Sequence, residues 1–204
     1  MRYVCHVTPC HRLPDIFVQG AVLSFNERRR RRVAEDKQSH YWGPTGRKEA
    51  LGGFALCSFM PSWGLIQGHQ DELAMFIFDA ETVCCRPGTL FCSTNTARSM
   101  YSDEEILAMS GVASLDACFP NPDTYQAGDS EILVPGAVPL TAAKGMLFCD
   151  QDAYDFWSVK IDQALAMADT KPDLPPPIPS ETDAARGLWG LRFPGNWRAT
   201  RRQR

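Results

Sequence analysis

The sequence predicts one α+β domain over residues 1–169, a proline-rich linker at 170–180 and a basic, tryptophan-containing tail at 181–204. Three observations predict it. Short apolar runs of strand length recur along residues 3–149, separated by stretches of helical spacing. Hydrophobic residues make up 44% and charged residues 22% of the 204 positions, enough apolar material for a packed core. The segment Lys171-Pro172-Asp173-Leu174-Pro175-Pro176-Pro177-Ile178-Pro179 then breaks the pattern, because proline at that density favours an extended polyproline spacer.

In chain order, residues 3–8 alternate weakly and predict an opening strand. Leu13, Ile16 and Phe17 share one helical face, and Gly20 closes that helix as a C-terminal glycine does. Residues 26–50 are polar, basic and glycine-bearing, the texture of a loop or broken helix. Phe54 to Phe59 predict a strand and Pro61 to Gly64 a turn. Leu73 to Asp79 are nearly all apolar and predict a central strand buried on both faces. A short strand at Thr89 to Ser93 follows, then a capping box at Ser102-Asp103-Glu104-Glu105. Residues 110–130 carry the glycine, proline, asparagine and aspartate of a long surface loop. Strands are expected at Glu131 to Pro135 and Gly145 to Cys149, and a helix from Asp152 to Ala168.

The net charge of -3 argues against a protein that coats duplex DNA by charge alone. Two local exceptions stand out, Arg28 to Arg32 and the tail arginines Arg198, Arg201, Arg202 and Arg204. No apolar run approaches the ~20 residues of a membrane span, and Met1 to His6 do not read as an export signal. A cytoplasmic protein is expected, with its eight cysteines reduced. Cys57, Cys84, Cys92 and Cys149 fall in apolar strand-like runs as small hydrophobes. The Cys5-His6 and Cys10-His11 pairs lack the spacing of a zinc site, so no metal is expected.

Three constellations could carry chemistry. Glu131 opens an apolar strand directly after the long polar loop. It is either a strand-end carboxylate facing solvent or a catalytic carboxylate held on a rigid element. His6 and Thr8 point to one face of the first strand, as a satisfied core pair or as ligand contacts in a cleft. Arg47 and Lys48 follow the turn Gly43-Pro44-Thr45-Gly46, which turn chemistry or a phosphate site would explain equally. The block Arg28 to Arg32 is a solvated polar face or a guide for an anionic strand.

Taken in order, these pieces resemble the DarT-type ADP-ribosyltransferases. The N-terminal likeness lies in Tyr3, His6-Val7-Thr8, Leu13-Pro14-Asp15-Ile16 and Gly20, and the middle likeness in Phe54 to Pro61. Phe91-Cys92-Ser93-Thr94-Asn95-Thr96-Ala97 resembles the family's Asn-Ala element, residues 100–130 stand where its substrate loop lies, and Asp129 to Pro135 resemble its catalytic glutamate strand. The family's arginine after the middle proline is replaced by Ser62-Trp63, and Arg47 is the best-placed candidate for the earlier arginine.

The resemblance implies a single ADP-ribosyltransferase-like domain with a mixed, split β-sheet core. It implies NAD as cosubstrate, with Glu131 and Arg47 catalytic and His6, Thr8, Gly20, Tyr41 and Asn95 as cofactor contacts. Arg28, Arg29, Arg30, Arg31, Arg32 and Tyr125 become the expected contacts to a single-stranded DNA or RNA acceptor, DNA being the first choice. The implied role is the toxin of a toxin–antitoxin or phage-defence system with a cognate antitoxin protein. Two readings compete: a catalytically silent NAD-fold binding module, and a glycohydrolase that only destroys NAD.

Overall fold

The computed structural model describes residues 3–33, 50–59, 73–96, 100–119, 130–148 and 151–169. Tyr41, Arg47, Tyr125, the proline-rich linker and the basic tail lie outside those residues, as does the turn expected at Pro61 to Gly64.

The first strand, β1 (Tyr3–Pro9), runs through a 3₁₀ turn (Cys10–Arg12) into α1 (Leu13–Gln19), whose second residue is Pro14. Proline suits that position because its missing N–H has no partner to lose there. Gly20 ends α1 in the left-handed region at φ 63°, where a side chain would be strained and glycine is not. Then come β2 (Ala21–Leu23) and α2 (Phe25–Arg30). Ser24 caps α2 by accepting from the Glu27 N–H at 3.2 Å. The remaining elements are β3 (Phe54–Ser58), β4 (Leu73–Asp79), α3 (Ala80–Cys84), β5 (Leu90–Cys92), α4 (Asp103–Leu107), α5 (Gly111–Ala117), β6 (Glu131–Pro135), β7 (Ala137–Pro139), β8 (Ala143–Phe148) and α6 (Gln151–Met167). The capping box forms at α4, with Ser102 and Glu105 satisfying each other's backbone N–H groups.

Six strands make one sheet in the order β5-β6-β3-β1-β4-β8, and β2 pairs with β7 in a second, two-stranded sheet. Every pairing among the described strands is antiparallel, where a mixed sheet was expected. β4 is buried through its middle, from Ala74 to Phe78, as its apolar run predicts, but it lies one strand in from the β8 edge. The sheet is not evenly joined. β1 and β4 share seven register pairs and β3 and β6 five, whereas among the described residues β1 and β3 pair at Cys5↔Ser58. Beyond that rung, from His6 on β1 and Cys57 on β3, the two strands part.

Strand alternation sorts the core into two faces. Val4, Ala55, Cys57, Phe76, Phe78, Ile132 and Val134 pack in the largest cluster with α1 and α6. On the other face two smaller clusters form, one around Cys5, Met75, Ile77 and Leu147, the other around Leu51, Leu90, Ile106 and Leu133. Each fully buried large side chain among them contributes about 1.5–3 kcal/mol by leaving water.

Other local expectations change. The surface loop expected at 110–130 contains the helix α5, begun by Gly111 at φ 79°. Cys84 lies on the helix α3, not in a strand. Residues 26–33 favour the broken-helix alternative, since α2 stops at Arg30 and Arg32 turns into positive φ. No helix among the described residues is long and apolar enough to cross a membrane.

Candidate active site

Glu131 begins β6, hydrogen-bonded between β5 and β3, and is only 6% exposed. The solvent-facing alternative for this carboxylate is therefore overturned. An isolated buried carboxylate is costly, so it must find hydrogen bonds. It finds them on Thr96, whose backbone N–H and hydroxyl both donate to Oε2, at 2.8 and 2.6 Å. One residue earlier, the Ser130 hydroxyl lies 3.2 Å from the Ser93 carbonyl and 3.3 Å from that of Cys118. Ser93 to Thr96 is thus fastened at one end to Ser130 and at the other to Glu131, where β6 begins. Asn95, an expected cofactor contact, sits in this strap beside the residue that holds Glu131.

Register carries the site across the sheet. Cys92, Glu131, Ser58 and Cys5 are successive cross-strand partners, so their side chains share a face. His6 and Thr8 alternate to the opposite face, where Thr8 is buried and pairs with Ala74.

His6 stands at that parting. Where β1 leaves β3, its Nδ1 lies 2.6 Å from the Leu56 carbonyl, two residues along β3 from the partner of Glu131. A carbonyl only accepts, so Nδ1 carries the proton and Nε2 is left as the acceptor. Burial lowers the His6 pKa from 6.5 to about 4; the Leu56 bond opposes this, while the guanidinium groups of Arg12 and Arg28 push the same way. The imidazole is neutral at physiological pH, with two arginine charges close enough to act on it.

That observation divides the basic block. Arg28 is partly buried and acts on His6. Arg29 lies over the Phe25 ring, 5.8 Å from its centroid. Arg30 and Arg31 pair with Glu27 at 2.8 and 3.4 Å, and Arg31 also bonds Gln19. Arg32 is exposed at the turn that ends α2. These cations also complement the carbonyl end of α2. Gly20, expected at the cofactor, caps α1 and gives its carbonyl to the Leu140 N–H at 2.8 Å, near the small sheet.

Thr96 and Arg12 escaped the sequence reading. Thr96 is 35 residues from Glu131, and nothing in the spacing links them. Arg12 follows β1 through a turn, so its charge near His6 is a product of folding. The buried thiols do not compete as nucleophiles. Burial pushes Cys5 and Cys57 well up, Cys84 to about 12 and Cys118 to about 11, and the thiolate is the reactive form.

No protein-family model and no curated protein sequence matches the chain. Solved structures do. Thermosipho africanus DarTG in complex with ADP-ribose aligns at TM-score 0.57 and 19% identity, over 88% of this chain and 50% of that one. This chain thus spans half the length of that protein. Thermus sp. 2.9 DarT in complex with ADP-ribosylated ssDNA aligns at 0.53 and 15% identity, over 87% and 93% of the two chains. The same Thermus protein in complex with carba-NAD+ aligns at 0.50, also at 15%. At such identities the likeness speaks for architecture. The architecture is that of an α+β domain built on a six-stranded antiparallel sheet. The fold is DarT-like.

Proposed function

We propose that this chain is an NAD-dependent ADP-ribosyltransferase that transfers ADP-ribose to a nucleobase of single-stranded nucleic acid, DNA before RNA. The single observation that carries the proposal is Glu131, a buried carboxylate held by two donors from Thr96 at the start of β6. A charge so placed does little for packing and suits electrostatic work. The DarT-like fold supports the reading, since its solved neighbours hold carba-NAD+, ADP-ribose and ADP-ribosylated ssDNA.

The residues suit the substrate. NAD supplies the ADP-ribosyl group at the bond between its nicotinamide and ribose. Glu131 accepts a hydrogen bond from the adjoining ribose hydroxyl and stabilises positive charge that develops at the anomeric carbon. His6, neutral with Nε2 as an acceptor, binds a sugar hydroxyl without adding charge. Arg12 and Arg28 bring positive charge to the same region, which complements a diphosphate. Arg47, catalytic beside Glu131, and Tyr41 join them at NAD, and Asn95 lies next to Thr96 at the carboxylate. The glycosidic bond breaks, nicotinamide leaves with the electron pair, a base nitrogen forms the new bond and its proton passes to water. The base must be unstacked to reach the site, so a single strand is the acceptor; Tyr125 and the outer arginines Arg29 to Arg32 guide it. An enzyme that modifies bases in this way is a toxin and requires an antitoxin partner in its own cell.

Incubation with NAD and matched DNA and RNA oligonucleotides tests the proposal. Mass spectrometry is expected to find one ADP-ribose added to the DNA. Free ADP-ribose with unmodified strands would replace it with the glycohydrolase reading, and no turnover with the silent module.

A further inference from the structure

Glu131 is held by Thr96, a residue 35 positions away in sequence. A carboxylate on a strand has several accessible rotamers, and only one presents its oxygens to a given substrate atom. Thr96 removes that freedom. Its N–H and its hydroxyl converge on the same oxygen, Oε2, and Thr96 itself is only 7% exposed. Both contacts, 2.8 and 2.6 Å, are within ordinary hydrogen-bond length, and a carboxylate acceptor makes such bonds stronger than neutral ones. The donor is itself fixed. The last rung of the β5–β6 ladder is Cys92↔Glu131, after which the chain is caught again through Ser93 and Ser130. Ser93 and Thr96 therefore bracket a short strap whose far end is closed by the carboxylate.

We infer that Thr96 is the positioning residue of the reaction, locking Glu131 in its working rotamer through the hydroxyl while its backbone N–H secures the strap. The inference rests on the transferase reading above and adds a division of labour to it. Thr96 does not touch the substrate. It acts through Glu131, so it bears on the transition state and not on NAD affinity.

Thr96→Val separates the two bonds, because valine keeps the shape and the backbone N–H and loses only the hydroxyl. One charge-assisted hydrogen bond lost predicts a fall in kcat of about tenfold to a hundredfold with KM for NAD little changed. Thr96→Ser restores the donor and is expected to recover most of the rate. A parallel measurement needs no turnover: NMR three-bond couplings of the Glu131 side chain should report one rotamer in the wild type and in Thr96→Ser, and averaging in Thr96→Val. Wild-type kcat in Thr96→Val, or loss of rate in both variants alike, would overturn the inference. If the wild type transfers nothing, the transferase reading fails, and the couplings still decide whether Thr96 sets the rotamer: one rotamer in Thr96→Val then sinks this inference too.

Discussion

The Nδ1 of His6 lies 2.6 Å from the carbonyl oxygen of Leu56, across the point where β1 and β3 part. This side-chain bond stands in place of the next rung of the ladder. It makes His6 both the pin between the parting strands and a neutral group beside them.

The first prediction is a pH dependence. The folded pKa of His6 is lowered from 6.5 to about 4. Above pH 6.5 both folded and unfolded chains hold it neutral, and its stabilising contribution is complete. As the pH falls towards 4 the unfolded chain takes up a proton that the folded one refuses, so that contribution is lost. At about 1.36 kcal/mol per pKa unit the full effect is roughly 3 kcal/mol. The difference in unfolding free energy between wild type and His6→Gln should shrink by that order between pH 6.5 and 4. A constant difference would mean that the fold leaves the titration of His6 unshifted.

His6 also shows what the sequence could and could not reveal. Its strand, its polar neighbour Thr8 and the helix closed by Gly20 were legible, because alternation, a proline and a glycine are local signals. So were the capping box at Ser102 and the apolar runs of β4 and β6. The small sheet was not: Ala21–Leu23 and Ala137–Pro139 are too short for a period to show. Nor was the antiparallel pairing of β1 with β4, which depends on a connection about 60 residues long whose path no local rule encodes. Glu131 was legible as a carboxylate on a strand, but its burial was not, since burial depends on Thr96 arriving from another element.

The second prediction separates the arginines. Arg28 acts on His6, whereas Arg30 and Arg31 are engaged with Glu27 at the exposed end of α2. Arg28→Ala should raise KM for NAD, and changing Arg30, Arg31 and Arg32 together to alanine should leave it nearly unchanged while weakening oligonucleotide binding in a salt-dependent way. Arg47→Ala belongs beside them. If the triple variant alone loses NAD, the outer block and not Arg28 holds the diphosphate.

A third concerns backbone conformation. Gly20 is at φ 63° with open space where a Cβ would stand. Gly20→Ala meets no clash, so its cost is that of the left-handed backbone, roughly 1–2 kcal/mol. Thermal unfolding should register that loss with NAD binding intact. Loss of binding at unchanged stability would return Gly20 to the cofactor.

Glu131 is the group on which transfer depends, and its burial decides which variant is informative. Glu131→Ala leaves the Thr96 hydroxyl and N–H without their acceptor, a cost of about 1–3 kcal/mol that confuses folding with function. Glu131→Gln keeps the shape and an acceptor oxygen and removes the charge. The most direct test is therefore the rate of ADP-ribose transfer from NAD to a single-stranded DNA oligonucleotide, followed by mass spectrometry for wild type and Glu131→Gln, with calorimetry confirming that both bind NAD. Measurable transfer is expected of the wild type and a loss of ~10² or more of the variant, the scale of removing one electrostatic stabiliser. Equal rates in the two proteins would contradict a catalytic Glu131.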